Sequence, residues 1–310
     1  MLKRIIEFSS PGASLTLSRG FLCVKRSSGD DCGESEKIPI DDIGALVFTN
    51  SRFSISGSVL SSLAKKGVIS CICDERYQPS AYLLPISAHH ESGARIQMQA
   101  DLDDRLKNHL WKEIVRAKIF NQARALKCIG VDSKRMGRLS EIVEPGDPRN
   151  IEAQAARLYW RLLFGKNFRR DFNAKGVNQL LNYGYAILRT CTTRSIVGHG
   201  LSPGLGIHHS NSRNPFKLAD DLIEPFRPFI DVAVYELSDG VGDDLNSEAK
   251  ARLVNVLYKD FDFKGKNTNV WNAVQRLLDS FASFLSDNAR KFEFPIFSDF
   301  LSASTHESSI

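Results

Sequence analysis

The hydrophobic pattern of this chain changes period once, and that change demands two differently built halves. Up to about residue 85 the apolar residues fall in short stretches: Arg4–Phe8, Ser14–Leu17, Phe21–Lys25, Ile43–Phe48 and Val68–Cys73. Their length and composition suit strands. Turn-formers separate them, at Pro11-Gly12, Arg19-Gly20 and the polar run Ser27–Ser35. Within that run Gly29-Asp30-Asp31 reads as a hairpin tip between Phe21–Lys25 and Lys37–Ile40. One helix is predicted to interrupt the strands at Ser58–Lys66, with Gly67 as its C-terminal cap. Beyond the polar stretch Pro85–Gly93, Leu102, Leu106, Leu110, Ile114 and Ala117 step by three or four and mark one helical stripe. Further helices are predicted at about Ile151–Phe164, with Asn150 as N-cap, and at Val177–Thr190. Another should run from Leu218 towards Leu237, kinked or broken at Pro225 and Pro228. Ser247–Tyr258 and Asn269–Leu285 complete the set, and the polar tail after Ser302 is expected to fray. The fold class expected is α+β: a small N-terminal β-sandwich-like domain (1–85), a linker (86–95) and a larger all-helical domain (96–310).

Composition excludes several classes. With 42% hydrophobic and 25% charged residues the chain has a globular profile. No apolar run approaches the ~18 residues a membrane span requires, and the first ten residues alternate polar with apolar, so a cytoplasmic protein with no membrane partner is expected. The six cysteines, Cys23, Cys32, Cys71, Cys73, Cys128 and Cys191, form no Cys-x-x-Cys pair, which argues against zinc and for buried, reduced thiols. Cys71 and Cys73 should share one face of a strand. No phosphate-cradling Gly-x-Gly-x-x-Gly or P-loop pattern occurs. The charge is unevenly placed: Arg105–Lys175 carries 17 Lys and Arg against 7 Asp and Glu, while Gly176 to Ile310 carries 13 against 16. A basic middle beside an acidic end suits a phosphate-binding surface next to a cation site, or simply two solvated basic helices.

Three segments carry candidate chemistry. In Asn150-Ile-Glu-Ala-Gln-Ala-Ala-Arg-Leu-Tyr-Trp160, Glu152 occupies a first helical turn. An acid there gains ~0.3–1 kcal/mol from the helix dipole and needs no function. Gly200-Leu-Ser-Pro-Gly-Leu-Gly-Ile-His-His209 is a tight loop delivering two histidines that must point in different directions. In Phe216-Lys-Leu-Ala-Asp-Asp-Leu-Ile-Glu-Pro-Phe-Arg-Pro228, Asp220 and Asp221 share a helix face with Glu224. Such acids repel one another unless a cation lies between them. Carboxylate and imidazole donors beside a phosphate substrate suit Mg²⁺ or Mn²⁺.

Taken together, Ile151-Glu152-Ala-Gln-Ala-Ala-Arg-Leu-Tyr159, Leu181-Asn-Tyr-Gly-Tyr185, Gly200-Leu-Ser-Pro-Gly-Leu-Gly206 and Leu218-Ala-Asp-Asp-Leu-Ile-Glu-Pro-Phe-Arg-Pro228 resemble the CRISPR-associated integrase family Cas-one, in wording most like its type II members. The resemblance implies a metal-dependent DNA integrase and endonuclease that inserts spacers at CRISPR repeats. It implies a β domain used for dimerisation and a helical catalytic domain. It places the metal-binding and catalytic residues on Glu152, His209 and Glu224, with Asp221 and His208 as supporting or occasional ligands. DNA phosphates would be held by Arg157, Arg161, Lys166, Arg169 and Arg170, and Asn178, Asn182 and Tyr183 would line the pocket. Implied partners are double-stranded DNA, a second copy in a homodimer, and the small protein Cas-two in a heterohexamer. A type II member would also engage the large RNA-guided effector nuclease. Two rival readings remain: a general metal-dependent nuclease of repair or recombination, and a non-catalytic DNA-binding scaffold.

Overall fold

The computed structural model describes residues 3–26, 36–86, 89–240, 244–263, 266–287 and 291–297. Eight strands come first: β1 (Arg4–Phe8), β2 (Ala13–Ser18), β3 (Phe21–Arg26), β4 (Glu36–Pro39), β5 (Ile43–Phe48), β6 (Phe53–Ile55), β7 (Ile69–Cys73) and β8 (Pro79–Leu83). Helix α1 (Gly57–Lys65) lies between β6 and β7. Its end is set by Gly67, whose φ of 66° lets the Val68 amide turn back to the Leu63 carbonyl. The strands form two four-stranded sheets, ordered β1-β5-β7-β8 and β4-β3-β2-β6. β3 and β4 pair antiparallel, as the two arms of a hairpin do; the expected tip Gly29-Asp30-Asp31 lies outside the described residues, as does the tail after Ser302.

The two sheets enclose one core with α1, built from Phe8, Leu46 and Phe48 on the first sheet, Leu15, Leu22 and Ile38 on the second, and Val59 and Leu63 on the helix. Strand β5 is buried along its whole length. Its alternation sends Leu46 and Phe48 into this core, and Val47, with Cys71 and Cys73 of β7, into the larger core beyond. The predicted sharing of a face by Cys71 and Cys73 is realised, with sulfurs 3.8 Å apart. Cys128, however, is exposed, contrary to the expectation of buried thiols.

The rest is dominated by helices: α2 (Ser92–Ala100), α3 (Asp104–Cys128), α4 (Lys134–Glu141), α5 (Ile151–Leu163), α6 (Val177–Gly198), α7 (Lys217–Ile223), α8 (Arg227–Gly240), α9 (Ser247–Asn255) and α10 (Val270–Ser286). Helix α6 is apolar or buried on nearly every side and forms the central post against which α7, α8, α9, α10 and β5 pack. Part of the predicted linker is helical, since α2 begins at Ser92. The expectation of an all-helical second half fails at β9 (Asp260–Phe263) and β10 (Lys266–Asn269), which pair antiparallel. Phe261 and Phe263 are buried while Asp260 and Asp262 face water, a period-two pattern that requires a strand. Among the described residues no helix is long and apolar enough to cross a membrane.

Candidate active site

Glu152 sits in the first turn of α5, but it does not cap that helix. Asn150, in the left-handed conformation at φ 53°, accepts from the Ala153 amide, and the Asp147 carboxylate accepts from the amides of Ile151 and Glu152 at 2.8 and 2.9 Å. With the free amides satisfied by these neighbours, the Glu152 side chain turns elsewhere and meets Lys118 Nζ of α3 at 2.6 Å. Its side chain is 28% exposed.

Glu224 is delivered by a break in the chain. Pro225 cannot continue α7, so residues Glu224–Phe226 form one 3-10 turn before α8 resumes. The turn rests on α3, where the Asn121 amide group donates to the carbonyls of Pro225 and Pro295 at 2.7 and 3.0 Å. The same side chain accepts from the Phe297 amide, so it binds the C-terminal segment to the turn. Glu224 is only 3% exposed. Its Oε1 pairs with Arg227 at 2.9 Å and its Oε2 with Lys118 Nζ at 2.6 Å. Burial pushes this carboxyl up, but Arg227 and then Lys118 outweigh burial and hold it below the usual range. Burial likewise opposes the charge on Lys118, and Glu224 followed by Glu152 restores it. Both groups are therefore ionised at neutral pH.

The histidine loop is organised by Asp221, which is fully buried. Its two oxygens accept from the amides of Ile207, His208 and His209 at 2.6, 3.1 and 3.2 Å, and Oδ1 pairs with His209 Nδ1 at 2.6 Å. A Cβ on Gly206 would lie 2.6 Å from that of Lys217, so only glycine lets the loop wrap this closely around the carboxylate. The bond from Asp221 raises the His209 pKa against the opposing effect of burial. Because Nδ1 is engaged, Nε2 is the ring nitrogen left for other chemistry. His208 points away and stacks on Trp111, with centroids 4.1 Å apart and ring planes within 2°. Burial lowers its pKa.

The acids of α7 do not share one cation as their spacing suggested. Asp220 pairs with Arg189 and accepts from Asn214, Asp221 holds the loop, and Glu224 faces Lys118 and Arg227. Among the described residues no three His, Cys, Asp or Glu side chains converge on one point as they stand. Glu152 and Glu224 instead converge on the Lys118 ammonium. Beside them a cavity of about 290 Å³ is lined by Arg170, Asn182, Tyr185, Arg189, His209 and Arg227, among others.

The predicted phosphate-binding residues divide. Arg157, Arg161, Lys166 and Arg169 are exposed, and none forms an ion pair among the described residues. Arg170 faces the cavity and is held by Asn178 and Asn182 at 3.0 and 2.6 Å, with Phe172 beneath it. Asn182 lines the cavity as expected, and Asn178 supports it. Tyr183 does not, because its hydroxyl donates to Glu7 of β1 at 2.8 Å in a cluster with Lys250. Sequence reading missed Lys118, Asn121 and Arg227. Lys118 falls four residues after Ile114, on the apolar stripe of α3. A lysine at such a position is buried only when paired, and that was the available signal.

Residues 7–240 match the family described as CRISPR associated protein Cas1. The CRISPR-associated endonuclease Cas1 of Neisseria meningitidis serogroup C is 35% identical over 289 residues, covering 92% of this chain and 93% of that protein. Among solved structures, a casposase bound to its integration product superposes with a TM-score of 0.80 at 18% identity, over 96% of this chain and 94% of the other. A Cas6-RT-Cas1–Cas2 complex gives 0.73 at 18% identity, over 96% of this chain and 36% of that one. The match over most of the length, with the order of strands, helices and motif-bearing turns set out above, places this chain in the Cas1 family of CRISPR-associated proteins.

Proposed function

We propose that this protein is a metal-dependent DNA integrase and endonuclease that inserts short DNA fragments at CRISPR repeats. The observation that carries the reading is the convergence of Glu152 and Glu224, from separate elements, on a single cation position beside His209. Residues 96–310 supply the catalytic part and residues 1–85 the dimerisation surface. Double-stranded DNA and the small protein Cas-two, in a heterohexamer, are the partners, and the cytoplasm is the site of action. The relationship to an endonuclease and the likeness to a casposase bound to an integration product support this.

The donor set fits Mg²⁺ or Mn²⁺: two carboxylates and one imidazole nitrogen, with room left for substrate. Glu224 Oε2 is buried and already faces a cation, the Lys118 ammonium at 2.6 Å, so its surroundings suit a positively charged ligand. Glu152, Glu224 and His209 Nε2 would hold the ion, since Asp221 engages Nδ1 and the neutral ring then presents Nε2. When bound, the ion supplies Lewis-acid stabilisation of charge on the phosphoryl oxygen and eases loss of the attacking proton. In the reaction the 3′-oxygen of the incoming fragment forms a bond to a repeat phosphorus. The bond from that phosphorus to the repeat's own 3′-oxygen breaks, and the departing oxygen takes up a proton. Arg157, Arg161, Lys166 and Arg169 contribute a positive ridge that holds the backbone without reading bases, and Arg170 does so from the cavity wall.

The test is strand transfer of a labelled short duplex into a plasmid carrying a repeat, with Cas-two, in Mn²⁺ or chelator. Joining at the repeat should require the ion and should fall by at least about a hundredfold in Glu152→Ala. Unspecific cutting that still needs Glu152 would assign a general nuclease. DNA binding without chemistry in any condition would leave only a scaffold.

A further inference from the structure

Lys118 is the least expected member of the site. Burying an ammonium is strongly unfavourable unless anions compensate it, and this one is 8% exposed on the inner face of α3. Three elements meet at its nitrogen: α3 itself, the first turn of α5 through Glu152, and the 3-10 turn through Glu224, with both carboxylate oxygens at 2.6 Å. With Arg227 on the other oxygen of Glu224, two cations balance two anions. An additional divalent ion on the same oxygens would lie within contact distance of the ammonium, where like charges in a poorly solvated site repel strongly. Ion and ammonium therefore exclude one another. The lysine stem is flexible and its head is a point charge, and the Glu152 side of the pair is open to solvent whereas Glu224 is not.

Resting on the reading of Glu152 and Glu224 as ligands, we propose that Lys118 is a positioning residue that occupies the cation position of the unloaded enzyme. It holds the two carboxylates together against their mutual repulsion and leaves when the divalent ion enters. Loading is thus an exchange of one cation for another. Once it is complete, the ion, Lys118 and Arg227 together outweigh the two carboxylates, so the site passes from neutral to positive and attracts a phosphodiester. The four-carbon stem keeps the displaced ammonium at the mouth of the site.

The experiment is a Mn²⁺ titration of the full-length protein without DNA, with free Mn²⁺ followed by electron paramagnetic resonance and melting temperature recorded in parallel. Lys118→Met should bind Mn²⁺ at least about fivefold more tightly than wild type, a coupling of ordinary size between two linked sites. Its melting temperature should start lower without metal and rise further with it. Equal or weaker binding would overturn the proposal. Should that variant not fold, Lys118→Arg retains a competing cation and should bind Mn²⁺ no more tightly than wild type; tighter binding would overturn the proposal equally. Glu152→Gln separates the two readings. If it binds Mn²⁺ as wild type does, the ligand assignment falls and takes the Lys118 proposal with it. If it loses binding while Lys118→Met is unchanged, the ligands stand and only the exchange is wrong.

Discussion

Two groups of basic residues, four on one outer stretch and three around the cavity, do opposite things. Arg157, Arg161, Lys166 and Arg169 project from α5 and the loop after it into solvent. Arg170, Arg189 and Arg227 face the cavity, where Asn178 and Asn182, Asp220, and Glu224 engage them in turn. The outer group keeps its charge free for a polyanion, and most of that charge is screened by salt. The inner group is committed to construction: Arg227 stabilises a buried carboxylate, and Arg170 and Arg227 each lie over the ring of Tyr185, which donates to buried Asp231. A count of lysines and arginines does not separate Arg169 from its neighbour Arg170. What matters for each is whether a partner waits inside.

The largest expected effect that could break this division is at Arg227. Arg227→Met would leave Glu224 buried with one cation fewer, and removing one member of a buried ion pair costs about 3–5 kcal/mol. Urea denaturation would show it; a loss under about 1 kcal/mol, the range of an exposed pair, would mean the inner arginines are no different from the outer ones. Next comes Asp231, whose pKa burial raises from 3.8 to about 7 despite the bond from Tyr185. The unfolded chain releases that proton first, so stability should fall as pH rises from 3.8 towards about 7 and level off above it. Asp231→Asn should flatten that segment of the stability profile, and an unchanged slope would remove Asp231 as its source. The smallest effect is at the outer ridge. Arg157→Ala with Arg161→Ala should leave stability within about 0.5 kcal/mol while lowering the salt dependence of duplex binding by roughly one unit of slope per arginine. An unchanged slope would place the DNA on another face.

What could be read from the sequence followed from periodicity and from residues that interrupt it. The five apolar stretches became strands, Asn150 capped α5, and Pro225 ended α7 where expected. Family likeness, not local pattern, separates His209 from His208 in the sequence, and the two rings differ in setting: the first is oriented by Asp221 and the second is packed on Trp111. Other features were hidden for physical reasons. Helix α6 runs past Thr190 through Thr192 and Thr193, poor helix formers that burial overrides. Helix α4 buries just Met136 and Ser140, too little apolar surface to mark a stripe. The partners of Lys118 and Asn121 were hidden because they come from α5, the 3-10 turn and the C-terminal segment, and no local pattern encodes a long-range pair.

Strand β5 serves two interiors at once, since Leu46 and Val47 are consecutive yet belong to different cores. Close-packed interiors transmit displacement rather than absorb it. A methyl group lost from the sandwich side would draw the strand towards the vacancy and away from α6, whose Tyr185 and Arg189 line the cavity beside His209. Mutational tolerance in the N-terminal half is therefore governed partly from outside it: a substitution that the sandwich could accommodate alone is constrained by the packing around the cavity on the far side of the sheet.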